Sequence, residues 1–224
     1  MEFFPQPAQP VVAVDQIAPC THGLDHPEGL AFDRDGTLWA GGEAGQLYRI
    51  AGGKVEQAAS VGGFCLGITL SQKQEIFVCN AGLRSLQKVD RDGKVLQSWG
   101  HVGGRPLLTS NFSAFDPHGN LYFSDSGAWN GKNGIVYRLR ASGVIEPFAG
   151  PFIFANGLAL SKSGDALFVA NLGRWHITRL PSPLGGALSL GRRLPNEALP
   201  PVAPGNVSAG RDGPAANGLA DWSL

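Results

Sequence analysis

The stretch "EGLAFDRDGTLWAGGEAGQLYRI", residues 28–50, decides the fold, because the chain writes it three more times. The later versions are "LGITLSQKQEIFVCNAGLRSLQKVD" from Leu66, "NFSAFDPHGNLYFSDSGAWNGKNGIVYRL" from Asn111 and "NGLALSKSGDALFVANLGRWHITRL" from Asn156. Each has a short apolar strand, a polar turn, a second apolar strand, a glycine-containing loop and a third strand with alternating apolar residues. Asp33, Ser71, Asp116 and Ser161 open the turns, and Gly36, Gly119 and Gly164 stand where such hairpins ask for positive φ. The starts recur about every 40 residues without a 3.6-residue period, which suits four-stranded propeller blades better than helical solenoids. "KVEQAA" (residues 54–59), "KVLQSW" (94–99) and "VIEPFA" (144–149) read as fourth strands. The expectation is an all-β chain, a β-propeller with about four legible blades. Residues 20–195 carry the blades, residues 1–19 form an N-terminal segment suited to an outer strand of a closing blade, and residues 196–224 form a degenerate C-terminal segment.

Composition sets the outer limits. With 224 residues the chain can build a sizeable core, and 18 Lys+Arg balance 18 Asp+Glu, which gives no basic face for nucleic acid. No apolar run is long enough to span a bilayer as a helix. The N-terminus "MEFFPQPAQPVVAV" lacks the cationic start and uninterrupted apolar core of a secretory signal, so a cytoplasmic home is expected. Cys20, Cys65 and Cys79 show neither CxxC spacing nor a histidine partner at metal spacing, and all three are expected to be buried thiols. "GGEAGQ" and "GHVGG" lack the strand-to-helix context of a phosphate loop and read as turns. There is no Gly-x-Ser-x-Gly nucleophile elbow.

The repeat gives Glu28 its meaning. It lies five places before the turn opener Asp33, and the residues at that register in the other units are Leu66, Asn111 and Asn156. First strands line the channel of a propeller, so these positions are expected to converge at one end of the axis. Carboxylate and amide oxygens without thiols are hard ligands, suited to Ca²⁺, Mg²⁺ or Mn²⁺. Read one at a time, each is equally an ordinary strand-end or turn residue. His26, two places before Glu28, is a weaker candidate for acid–base work, since a loop histidine is ordinarily just solvated. His22, His101, His118 and His176 have no metal spacing, and His118 sits in a turn.

"HPEGLAFDRDGTLW", "NFSAFDPHGNLYFSDSG" and "FANGLALSKSGDALFVANL" resemble blades of the gluconolactonase, regucalcin (senescence marker protein) and strictosidine-synthase-like superfamily, over about residues 20–180. The resemblance implies a six-bladed propeller with a divalent metal at its axis, most often Ca²⁺, with Mn²⁺, Mg²⁺ or Zn²⁺ as alternatives. It implies Glu28 and Asn156 as direct ligands, Asn111 as a further residue near the metal and substrate, and Asp212 as a late ligand with general-base duty. A second, structural calcium held by some family members would fall at Asp125, in "SDSGAWNGKNG", where a solvated turn carboxylate is the plainer reading.

The chain departs from that pattern in "GRDGPAANGLADW", where Pro214 occupies the place of the first residue of a strand and removes a ladder donor. Six blades at a roughly 40-residue period also need roughly 60 to 80 more residues, so a C-terminally truncated or frameshifted chain is expected. The implied function is metal-dependent hydrolysis of a small-molecule lactone or related ester. A non-catalytic propeller that binds a small molecule or a protein is the alternative, because fold alone does not fix function. Strictosidine-synthase-like members add a different reaction on the same scaffold. Variable loops around Trp129 and Trp175 would choose the substrate; neither partner nucleic acid nor membrane is expected, and the sequence leaves the oligomeric state open.

Overall fold

Side chains of the turn openers explain why the hairpins form where they do. In the computed structural model, which describes residues 14–181, Asp33 Oδ1 accepts the backbone N–H of Asp35 and Thr37 at 2.9 and 3.0 Å. Asp116 Oδ1 does the same for His118 and Asn120 at 2.9 and 2.8 Å. Ser71 Oγ accepts from Lys73 and Glu75, and Ser161 Oγ from Ala166. Such a residue closes the turn on its own backbone. In the Ser71 turn no glycine is present, and Gln74 takes the left-handed conformation at φ 64°.

Strands run from these turns in blade order. The first sheet is β1 (Leu30–Phe32), β2 (Leu38–Gly41), β3 (Gln46–Ala51) and β4 (Lys54–Ser60), each antiparallel to the next. The second is β5 (Cys65–Leu70), β6 (Ile76–Asn80), β7 (Ser85–Val89) and β8 (Val95–Trp99), followed by a small hairpin of β9 (His101–Val102) and β10 (Arg105–Pro106). The third is β11 (Ser110–Phe115), β12 (Leu121–Asp125), β13 (Gly134–Leu139) and β14 (Ile145–Phe152). The fourth has β15 (Ala155–Leu160), β16 (Ala166–Asn171) and β17 (His176–Pro181) among the described residues. The fold is all-β, of the β-propeller type anticipated from the repeat. Residues 54–59, 94–99 and 144–149 fall on the fourth strands as expected.

The chain divides into two compact units, Met1–Pro106 and Leu107–Leu224. In the first, Trp39 and Leu47 of one sheet bury against Cys65, Ile68, Ile76, Val78 and Val89 of the next. Polar ties join the same two blades: the buried Asp33 Oδ2 accepts Trp39 Nε1–H at 3.2 Å and pairs with Arg91 at 3.1 Å. The Arg34 guanidinium donates to the Gln72 carbonyl at 2.6 Å. In the second unit, Tyr122, Val136, Phe148 and Phe152 pack on Ala155, Leu158, Leu167, Val169 and Leu180. The middle strands β6 and β12 are buried along their whole length, as expected for strands covered on both faces.

One expectation fails. Cys20 is exposed, lying in the segment before β1 where no strand partner covers it, whereas Cys65 and Cys79 are buried. Burial, with the Cys79 thiol adding to it, pushes the Cys65 thiol up to about 12, so it is no nucleophile at neutral pH. Among the described residues no helix is long and apolar enough to cross a membrane.

Candidate functional site

Three of the four strands that open a sheet carry the same irregularity at the candidate register. Pairing slips between Cys65 and Ile68 in β5, between Ser110 and Ser113 in β11, and between Ala155 and Leu158 in β15. Each slip places two residues opposite one: Leu66-Gly67 facing Cys79, Asn111-Phe112 facing Ser124, and Asn156-Gly157 facing Ala170. A bulge of this kind re-aims a side chain and is common beside functional sites. Counting from the turn therefore picks out one shared structural position for Leu66, Asn111 and Asn156. Leu66, its apolar member, is buried with Phe64 and Ala81.

In the second unit, Ser124 joins the two asparagine-bearing strands. Its hydroxyl accepts the Phe112 N–H at 3.1 Å and donates to the Asn156 carbonyl at 2.8 Å. Ser126 Oγ donates to the Ala155 carbonyl at 2.6 Å. Asn111 is buried and has no side-chain hydrogen bond among the described residues. Asn156 is half-buried.

Asp125, between those serines, is fully buried at the end of β12. Its Oδ1 accepts three backbone amides, from Leu108 at 3.1 Å, Thr109 at 2.7 Å and Gly127 at 3.2 Å. Oδ2 has no partner among the described residues, and neither does Ser110 Oγ on the residue paired with Asp125. Sequence reasoning placed Asp125 in a solvated loop or on a calcium; its visible work is to hold the chain entering β11.

In the first unit, Glu28 precedes β1, and its neighbour Gly29 answers why glycine follows. A Cβ on Gly29 would lie 2.1 Å from the Leu66 carbonyl oxygen and 2.8 Å from Gly67 Cα. The chain after Glu28 thus presses directly on the bulge of β5. Partial desolvation, then the Glu43 carboxylate, pushes the Glu28 carboxyl above its ordinary range. Nearby lies a cluster that the spacing did not reveal: Asp25, His26 and Glu43 bring one ligand atom each to within 4.8 Å of one another. The only trace in sequence is the Asp25-His26 adjacency, since Glu43 comes from the loop after β2. Asp212 lies outside the described residues.

Aromatic side chains flank the Asn156 end of the second unit. Trp129 meets Phe154 edge-on at 4.6 Å between centroids, just before β15. Trp175, at φ 52°, is 83% exposed.

The description SMP-30/Gluconolactonase/LRE-like region matches residues 43–189 of the chain. The chain belongs to that family. A strictosidine synthase-like N-terminal region also matches, over residues 16–50. A gluconolactonase from Xanthomonas campestris superposes with a TM-score of 0.70 at 23% identity, over 78% of this chain and 64% of that one. A putative gluconolactonase superposes at 0.68 and 20% identity, over 78% and 65%. A virginiamycin B lyase from Staphylococcus aureus follows at 0.59 and 20%, over 75% and 55%. At these identities the likeness is one of fold. The chain thus spans less than two thirds of the length of these structures. No curated protein matches it by sequence.

Proposed function

We propose that the protein is a metal-dependent hydrolase of a small-molecule lactone or related ester, with Glu28, Asn111, Asn156 and Asp212 as its polar centre. The observation that carries this reading is the bulge register shared by Asn111, which is buried, and Asn156, which is half-buried. All four side chains offer oxygen, and a set of carboxylate and amide oxygens suits Ca²⁺ before Zn²⁺.

In this reading Glu28 and Asn156 hold the ion, and Asn111 binds beside it, where an amide can both accept from and donate to a lactone's hydroxyls. When bound, the ion supplies Lewis-acid polarisation of the carbonyl. Asp212 takes a proton from the attacking water. Ser124 positions Asn156 by fixing its backbone. The exposed Trp129 and Trp175 offer apolar surface to the substrate. The proposal includes a cytoplasmic setting.

The test is a Ca²⁺ titration followed by thermal unfolding, with a pH-stat assay of lactone hydrolysis run alongside. An ion that binds only the native state raises the melting temperature. Stabilisation by Ca²⁺ in the wild type, lost in Glu28→Gln and Asn156→Ala, supports the centre. An identical Ca²⁺ response in those variants sinks it.

A further inference from the structure

The first unit carries a second set of ligand atoms that the lactone reading does not use. His26 Nδ1 lies 3.0 Å from Asp25 Oδ1 and 2.9 Å from Glu43 Oε2. The three come from two separate loops, one before β1 and one between β2 and β3, and the loops are pinned together by bonds outside the cluster. The Asp25 carbonyl accepts the Glu43 N–H at 3.3 Å. Asp25 Oδ2 accepts the Ala44 N–H at 3.2 Å and Gln46 Nε2–H at 3.0 Å, and the Asp25 N–H reaches the Tyr48 hydroxyl at 3.3 Å. One oxygen of Asp25 is thus fixed by the scaffold, and the other is turned toward His26.

The structure assigns to Asp25, His26 and Glu43 a site for a divalent first-row transition ion, of which Zn²⁺ is the first candidate. Imidazole nitrogen with two carboxylate oxygens is a donor set for such ions, unlike the all-oxygen set proposed for Ca²⁺. Ligand atoms around a tetrahedral ion with bonds of about 2.0–2.2 Å stand about 3.4 Å apart. The observed separations, two near 3 Å and all within 4.8 Å, reach that geometry by small side-chain shifts. His26 and Glu43 side chains are 75% and 51% exposed, which leaves an entry path and room for water as a fourth ligand. Gln46 is the supporting partner that such sites use to orient a ligating carboxylate.

The competing account is a plain ion pair of charged His26 with its two carboxylates. Calorimetric titration of the full chain with ZnCl₂, backed by the visible absorption of bound Co²⁺, separates the two. The site predicts saturable Zn²⁺ binding that weakens by about tenfold or more in His26→Gln and in Glu43→Gln, and by about tenfold in Gln46→Ala. Thermal unfolding without metal checks that each surface variant is folded. Glu28→Gln keeps the Zn²⁺ isotherm while losing any Ca²⁺ response, so failure of the lactone centre leaves this site standing. No saturable binding in the wild type, or unchanged affinity in His26→Gln and Glu43→Gln, overturns it. So does Zn²⁺ binding lost in Glu28→Gln but kept in His26→Gln, which would put the ion at the other centre.

Discussion

Ser124 Oγ donates to the main-chain carbonyl of Asn156 at 2.8 Å while accepting the Phe112 N–H of its own sheet. One hydroxyl therefore fixes the bulge that carries Asn111 to the bulge that carries Asn156. Removing it leaves a half-buried N–H and a half-buried carbonyl short of a partner, together costing about 2 kcal/mol. Ser124→Ala is expected to destabilise the chain by about 2 kcal/mol in urea unfolding. Ser124→Thr, which keeps the hydroxyl, should lose less. A Ser124→Ala variant as stable as wild type would show that the bridge carries no weight.

Glycine at two register positions makes a second contrast. A Cβ on Gly29 meets the Leu66 carbonyl oxygen at 2.1 Å, whereas one on Gly157 meets nothing within 4 Å. Backbone cannot yield as a flexible side chain can, so Gly29→Ala is expected to cost about 3 kcal/mol. Gly157→Ala should change stability by no more than about 0.5 kcal/mol. Equal effects in the two variants, measured by thermal unfolding, would refute the close packing of the chain after Glu28 on β5.

The blade repeat was legible because turn chemistry is local. Asp33, Ser71, Asp116 and Ser161 bind amides two to five residues away, and a short-range pattern is written directly into sequence. The equivalence of Leu66, Asn111 and Asn156 was legible for the same reason, since it counts from those turns to the bulges of β5, β11 and β15. The bulges themselves were not, because a bulge is a mismatch between two strands and neither strand shows it alone. The burial of Asp125 was not legible for a related reason: its three amide partners include Leu108 and Thr109, 17 and 16 residues upstream. The Asp25–His26–Glu43 cluster needs a loop on the far side of β2, and no spacing rule joins residues 26 and 43.

Asp33 provides a pH-dependent test of the first unit. Burial works to raise its carboxyl, but the Trp39 indole, the Thr37 and Asp35 amides and the Arg91 guanidinium outweigh it and hold it below the ordinary 3.8. The unfolded state therefore binds more protons in the window below 3.8, and the contribution to stability is lost as pH falls through the folded value. Asp33→Ala strands the Trp39 N–H and two amides, and is expected to cost about 3 kcal/mol at neutral pH. The gap between variant and wild type should narrow on acidification below 3.8. A constant gap across that range would show that the carboxylate charge is not what stabilises the hairpin.

Glu28 has the opposite sign, which makes it the more informative carboxylate. Desolvation first, and the Glu43 charge second, raise its carboxyl above the ordinary 4.5. Between 4.5 and the raised value the folded chain holds more protons than the unfolded one, so stability falls as pH rises through that window. Ionised Glu28 then works against the fold at neutral pH. Glu28→Gln is expected to melt higher than the metal-free wild type at pH 7, with the difference vanishing below 4.5. Saturating Ca²⁺ should reverse the order at pH 7, because the ion neutralises the charge only in the wild type. A variant that melts lower than metal-free wild type at pH 7 would mean that the Glu28 carboxylate already has a stabilising partner. The case for its being held ready for a cation would then fail.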